Sequence, residues 1–420
     1  MDRLQGLFGV ALILGLAWLA SNNRGRINYR LVASGIALQI TIALLIFKVG
    51  PVARFFQVLG AGIGVLEACA RQGAAFVFNG IVVEEAPGKL TNFFHGGFTF
   101  VFNISATIIL VCVLVAILYH YGIMQRVVSF IARAMNVIMR VSGAEALSNV
   151  ASAFVGQIEA QVMIRPYLAG MTNSELLASM SGSLACIAGG ILVVYSNMGT
   201  AAGMDLAPKL ITASLMAAPG ALVIAKMVFP ETLESQTMGT VKLEVKSSYS
   251  SVIDAISHGA GDGMKISINV FAMLIGFISL IACIDWALGG LGHLFDPDFQ
   301  LSLNWIFGKL FYPLAWTMGV PSADVANVAT LLGQKLTINE FVAFQNLTNK
   351  SVPIVTEKGL LILSIAICGF ANFSSVGMQI GGIGALAPER RGDLARLGLK
   401  ALFCGTLASY LSATIAGIII

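Results

Sequence analysis

Charge is what this 420-residue chain has least of: Asp, Glu, Lys and Arg together make up 11% of it, against 57% hydrophobic residues. Soluble domains carry roughly 25% charged residues, so a chain of this size could not cover a water-exposed surface with so few. Histidine is scarce too. His95, His120, His258 and His293 lie far apart and give no metal-ligand spacing. The six cysteines are scattered, mostly in apolar runs, and none forms a CxxC pair, which reads as small core residues and not as disulfides or metal ligands. There is no Walker sequence, no catalytic-triad spacing and no paired metal motif. Gly60, Gly62 and Gly64 cluster without the strand–helix context of a dinucleotide fingerprint.

What the chain has instead is a series of apolar runs, charge-free but for Lys209: Leu4–Ala20, Leu31–Phe47, Phe98–Tyr119, Leu206–Ala225, Ile266–Cys283, Gly359–Gly384 and Ala401–Ile420. Each is near the roughly 17–25 residues that cross a bilayer as a helix, and they are too long and continuous for barrel strands. The first run begins with one Arg and lacks an A-x-A cleavage site, so it reads as a retained helix and not a signal peptide. Arg24, Arg26 and Arg30 separate the first two runs, and Arg390, Arg391, Arg396 and Lys400 precede the last. The positive-inside rule makes both loops cytoplasmic. Both termini are then outside and the number of spans is even; eight are expected. The fold class predicted is an all-α polytopic membrane protein.

Not every apolar stretch need cross. Val52–Phe94 mixes glycines, charges and phenylalanines and reads as interfacial or re-entrant helix in short pieces. Within Ile123–Val141, Arg126, Arg133 and Arg140 recur every seven residues among apolar neighbours, the pattern of an amphipathic helix lying at the interface. Pro230–Ser251 is the most polar stretch and reads as a loop.

The informative feature is an internal repeat. Asn149-Val150-Ala151-Ser152 leads to Gly156-Gln157 and Glu159; Asn327-Val328-Ala329-Thr330 leads to Gly333-Gln334 and Glu340. Thr172-Asn173 and Thr348-Asn349 follow, then a glycine-broken apolar segment in each half, at Cys186–Gly190 and at Cys368–Ser375. Short, interrupted segments at matching positions of two halves point to a transporter with its substrate near the midplane. Glu159 and Glu340 sit in hairpins too short to cross twice, and carboxylates at that depth are costly and functional by default. The bland reading is that each caps a helix or pairs with Arg165 or Lys335. With Gln157, Gln334, Asn372, Ser374 and Ser375 they make a site rich in acceptors and amides. Such a site suits a neutral, hydroxyl-bearing ligand and not an anion. The alternatives are an intramembrane enzyme using Glu159 and Glu340 as an acid–base pair, or a passive channel. Two matching broken segments favour transport, since an enzyme needs no such symmetry.

Three strings carry a family resemblance: Gly156-Gln157-Ile158-Glu159-Ala160, Asn339-Glu340-Phe341-Val342-Ala343-Phe344 and Cys368-Gly369-Phe370-Ala371-Asn372-Phe373-Ser374-Ser375. Together they resemble the concentrative nucleoside transporter family, in order from about residue 123 to residue 420. The resemblance implies a bacterial inner-membrane symporter for nucleosides such as uridine, cytidine and adenosine. It implies eight spans, two re-entrant hairpins in an inverted repeat, interfacial helices, elevator-type alternating access and a homotrimer. No cofactor, no enzymatic activity and no nucleic-acid partner is expected. The expected division is 1–122 mainly scaffold, 123–265 the first repeat half with a hairpin over 143–171, and 266–420 a scaffold span followed by the second half. That second half would hold a hairpin over 322–355 and a broken span over 357–387. By the family's pattern Gln157 and Glu159 lie at nucleobase and ribose, Glu340, Asn372 and Ser375 bind ribose hydroxyls, and Phe370 and Ile191 pack on the ligand.

The chain departs from the family where sodium-coupled members hold their ion. Ser152 stands where the family has Asn, Ile158 for Thr, Gln161 for Pro, and Cys186 for Ser or Thr. Sodium wants oxygen ligands, like other hard cations. The degenerate site would be left with Ser152, the backbone carbonyls of Val155 and Ile187, and a sulfur at Cys186. Protons are therefore the expected coupling ion, with sodium the alternative.

Overall fold

The computed structural model describes residues 2–77, 82–86, 89–92, 100–237, 249–294 and 301–420, and it is dominated by helix. Four helices among the described residues are long and apolar enough to cross a membrane: Tyr29–Lys48, Asn173–Ala201, Ala207–Val228 and Pro388–Ile419. The pair Ser105–His120 and Ile123–Met139 passes the same test together but is bent by 78°. A membrane protein follows from these helices. Two findings differ from the sequence expectations. Gly50–Val77 is one unbroken helix of 28 residues rather than short pieces. A two-stranded antiparallel pair, Val82–Ala86 with Lys89–Asn92, follows it and is the departure from an all-helical chain among the described residues. Of the expected loop over Pro230–Ser251, residues 238–248 lie outside the described part.

Each half of the repeat folds into a short helical hairpin followed by a helix with a break. The first hairpin starts at Ser142, whose hydroxyl accepts from the Glu145 N–H while the Glu145 carboxylate accepts from the Ser142 N–H. That reciprocal pair satisfies two helix-end donors. The first arm, Gly143–Ser152, is ten residues long, about 15 Å, half the roughly 30 Å of a hydrocarbon core. The chain turns at Gly156, which has φ +123°, a conformation suited to glycine. It returns as Glu159–Met163 and Arg165–Leu168. The second hairpin is Val325–Thr337 and Glu340–Thr348, the second arm capped by Asn339.

The breaks have local causes. The first broken helix is Asn173–Ala185 then Gly189–Ala201, the second Glu357–Ile367 then Phe373–Leu386. Asn372 caps the second piece by accepting from the Ser375 N–H at 2.9 Å, so the helix restarts at an Asx cap. The two breaks touch. The Phe370 N–H donates to the Cys186 carbonyl at 3.3 Å. A Cβ on Gly369 would lie 2.5 Å from the Ala185 carbonyl oxygen, so this crossing needs glycine. The tip of the first hairpin docks on the first break, where the Gly189 N–H donates to the Phe154 carbonyl at 3.2 Å. The Phe370 and Gly189 N–H groups and the Cys186 and Phe154 carbonyls thus find partners on other elements of the same assembly.

One end of the bundle collects both feet of the first hairpin and the basic loops. Lys226, nearly fully buried, pairs with Glu145 at 2.8 Å and with Glu231 at 3.2 Å, pinning the first foot. Arg390 donates to the carbonyls of Leu168, Ala169 and Met171 and to the Asn173 side chain, pinning the second. Asn22, beside Arg24 and Arg26, donates its N–H to the Val228 carbonyl. Arg24, Arg26 and Arg390 therefore share one end of the molecule, as the positive-inside reading requires.

Candidate functional site

The hairpin tips and helix breaks enclose a cavity of about 260 Å³. All seven residues expected to meet substrate line it: Gln157 and Glu159 from the first hairpin, Glu340 from the second, Ile191 beyond the first break, and Phe370, Asn372 and Ser375 at the second. Residues up to 218 positions apart, Gln157 to Ser375, are thereby brought to one place.

Its polar chemistry is asymmetric. Glu340 is held by one donor on each oxygen: the Tyr195 hydroxyl at 3.1 Å on Oε1 and Asn372 Nδ2 at 2.8 Å on Oε2. The Asn372 carbonyl is already used by Ser374 Oγ at 2.7 Å and the Ser375 N–H. Each Glu340 oxygen keeps a free lone pair. Ser375 Oγ lies buried in the same wall and makes no hydrogen bond. A buried polar group without a partner is costly, and here it lines a cavity. Glu159, on the opposite hairpin, is solvent-accessible.

Neither carboxylate forms the ion pair that a purely structural role would call for. Among the described residues no ion pair joins Glu159 to Arg165, and Lys335 is fully buried with its Nζ making no hydrogen bond, 5.7 Å from the Tyr410 ring centre.

Two positioning residues escape the sequence reading. Tyr195, fully buried, is stacked on Phe344 at 4.4 Å while its hydroxyl holds Glu340. Gln379 donates from Nε2 to Gln157 Oε1 at 3.4 Å and to the Met180 carbonyl at 3.2 Å. Each stands four residues after a named site residue, Ile191 and Ser375, so the helical i, i+4 rule is the signal that marks them.

A second cavity of about 270 Å³ adjoins the first, sharing Glu159, Ile191 and Ala188 with it and continuing past Asp262 to Tyr119 and Tyr249. The rings of Tyr119 and Tyr249 stand 6.4 Å apart, edge to face.

Of the expected ion-site positions, Ser152 belongs to a closed hydrogen-bond network built around Gln161. Gln161 Nε2 donates to Ser148 Oγ and Ser183 Oγ, both at 2.9 Å, and Gln161 Oε1 accepts from Ser179 Oγ at 2.8 Å. Ser152 Oγ donates to the Ser148 carbonyl at 2.8 Å and lies 2.8 Å from Ser183 Oγ. Given these donors, Ser183 donates to Ser152 and Ser148 to Ser179, so every hydroxyl proton in the ring has one destination. Cys186 contributes sulfur, turned to the Asn149 carbonyl at 3.9 Å. No cluster of metal-ligating side chains exists among the described residues.

Comparison with known proteins decides the family. Three family models cover most of the chain: the N-terminus of Na+ dependent nucleoside transporters over residues 8–81, their C-terminus over 209–417, and a nucleoside-recognition gate over 101–202. This chain belongs to the Na+ dependent nucleoside transporter family. It is 40% identical to a transporter of Haemophilus influenzae and 35% identical to the nucleoside permease NupC of Helicobacter pylori, in each case over 100% of this chain and 98% of the relative. The structure of CNTnw in an inward-facing substrate-bound state matches with a TM-score of 0.90 at 38% identity, over 100% of this chain and 98% of that one. The chain is a membrane transporter and not an enzyme.

Proposed function

We propose that this transporter imports nucleosides across the bacterial inner membrane by cation symport. The cavity holds the substrate, and the two hairpins and two broken helices move together, elevator-fashion, against a scaffold in a homotrimer. The observation that carries the substrate assignment is the second-repeat wall. Glu340 is fixed from behind by Tyr195 and Asn372 with acceptor capacity left over, beside the unpartnered Ser375 hydroxyl. A pair of vicinal hydroxyls satisfies both, donating to the carboxylate and bonding the serine. Phe370 and Ile191 offer apolar surface for a base, and Gln157 offers an amide held by Gln379. Equilibrium binding of labelled uridine, cytidine and adenosine to the purified protein tests this, with ribose and nucleoside monophosphates as competitors. Strong competition by a monophosphate contradicts it, because a phosphate would meet two carboxylates and no cation.

For the coupling ion we propose protons. The network around Gln161 supports this choice, since its hydroxyls are committed to one another rather than facing an empty cage. Glu159 supports it as well, because it lines both cavities, the second of which extends past Asp262 to Tyr119 and Tyr249. In the cycle, Glu159 takes a proton from outside, substrate binds, the transport unit moves, and the proton leaves inside.

A further inference from the structure

The helix Ile123–Met139 leaves the preceding span at 78°, after a left-handed turn at Gly122, so it runs nearly along the membrane plane if that span crosses it. Its sides differ in chemistry. Met124, Val128, Ala132, Met135 and Met139 are buried against the bundle. Phe130 and Val137 are 75% and 70% exposed on the opposite side. Between these two sides runs an edge bearing Arg126, Arg133 and Arg140, all exposed. At 100° per residue the three fall within about 40° of one another, spaced by about 10 Å along the axis. The helix contains no Asp or Glu. Among the described residues no ion pair or hydrogen bond engages any of these three guanidinium groups. Arg140 lies three residues before Gly143, whose N–H donates to the Thr237 carbonyl. The row therefore sits at the end of the bundle where Arg390 clamps the first hairpin and Asn22 meets Val228.

We propose that this edge is a binding surface for anionic phospholipids of the cytoplasmic leaflet. Phe130 and Val137 enter the acyl layer beside the bundle, and the three arginines take the headgroup phosphates along one line. Charge complementarity selects this occupant. A protein partner would have to cover Phe130 and Val137 at the depth of lipid, whereas an anionic headgroup lies above acyl chains by construction and matches a planar guanidinium fork. Each basic residue near an anionic surface contributes roughly a fivefold gain in affinity, so three give on the order of 100-fold.

The test uses the purified full-length chain, delipidated in detergent, with dioleoylphosphatidylglycerol and dioleoylphosphatidylcholine as probes and native mass spectrometry as readout. The variant is Arg126→Gln/Arg133→Gln/Arg140→Asn, with Asn at 140 because that residue is left-handed at φ +54°. Wild type should retain phosphatidylglycerol about 100-fold better than the variant, with added salt weakening the difference. Phosphatidylcholine should be retained equally by both, and Arg→Lys at the three sites should keep most of the preference. Unchanged melting temperature in pure phosphatidylcholine vesicles checks that the variant folds; if it does not, single substitutions at Arg126 and Arg133 should each lose about fivefold. Equal retention of phosphatidylglycerol by wild type and by folded variants overturns the proposal. So does efficient disulfide crosslinking between copies of a Phe130→Cys protein, which would put a second copy on this face. Inorganic phosphate alone at millimolar concentration should not displace the lipid; displacement would mean a free-phosphate site.

Discussion

A carboxylate held by two donors from its own protein is the residue-scale feature on which the account turns. Glu340→Gln keeps shape but removes the charge, and Glu159→Gln does the same on the other hairpin. A hydrogen bond to a charged group contributes about 1.5–3 kcal/mol, so each change should weaken nucleoside binding roughly 10–100-fold and nearly abolish uptake, with insertion intact. Wild-type uptake in either variant would remove that residue from the site. Tyr195→Phe keeps the stack on Phe344 and loses the hydroxyl that holds Glu340 Oε1. We expect ribonucleosides to bind about 5–20-fold more weakly, with 2′- and 3′-deoxynucleosides less affected because they already lack a partner for the carboxylate. An unchanged ratio between ribo and deoxy substrates would make Tyr195 a packing residue only. For the wild type, deoxy substrates should bind more weakly than ribonucleosides, since a missing hydroxyl leaves buried polar groups unpaired. Gln157, Glu159, Glu340, Asn372 and Ser375 stand in short polar strings inside apolar sequence, whereas Ile191 and Phe370 are expected from the family resemblance alone; all seven line one cavity. Tyr195 and Gln379 are marked in the sequence only by their i, i+4 spacing from Ile191 and Ser375, because the partners they hold lie 145 and 222 positions away.

Among the elements, the hairpins and broken helices were readable from glycine, asparagine and glutamine in fixed order, because turns and caps are local chemistry. Gly50–Val77 was misread as fragments. Its glycines and charges look like breaks, but a glycine costs a helix only about 1 kcal/mol, and the helix runs through Gly60, Gly62 and Gly64. The pinning of the hairpin feet was also out of reach. Lys226 meets Glu145 from 81 positions away, and nothing in the sequence pairs them. Removing one partner of a buried pair leaves an uncompensated charge, at about 3–5 kcal/mol. Lys226→Met should therefore lower the melting temperature of the detergent-purified protein by several degrees, with Lys226→Met/Glu145→Gln recovering part of the loss. A melting temperature unchanged in the single variant would show that Glu231 and water carry the foot without the lysine. The second hairpin is closed by a different device, Asp324, which accepts from the Val355 N–H at 2.8 Å and the Thr356 N–H at 3.0 Å.

Across the whole molecule, the sequence and the structure agree on a helical membrane transporter with its basic loops at one end. The cavity between the two hairpins adjoins a second one, which shares Glu159 with it and reaches Tyr119 and Tyr249. Both feet of the first hairpin are tied to the bundle, by Lys226 and by Arg390, which fits the proposed movement of hairpins and broken helices as one unit. Protons are proposed on the strength of Gln161, whose amide closes a ring of serine hydroxyls around Ser152. The most direct measurement is uptake of labelled uridine into proteoliposomes in sodium-free buffer under an inward proton gradient. Proton symport predicts accumulation of unmodified uridine above the outside concentration, abolished by a proton ionophore and indifferent to added sodium at fixed pH. Uptake that requires sodium and ignores both the proton gradient and the ionophore would contradict it, as would equilibration without accumulation.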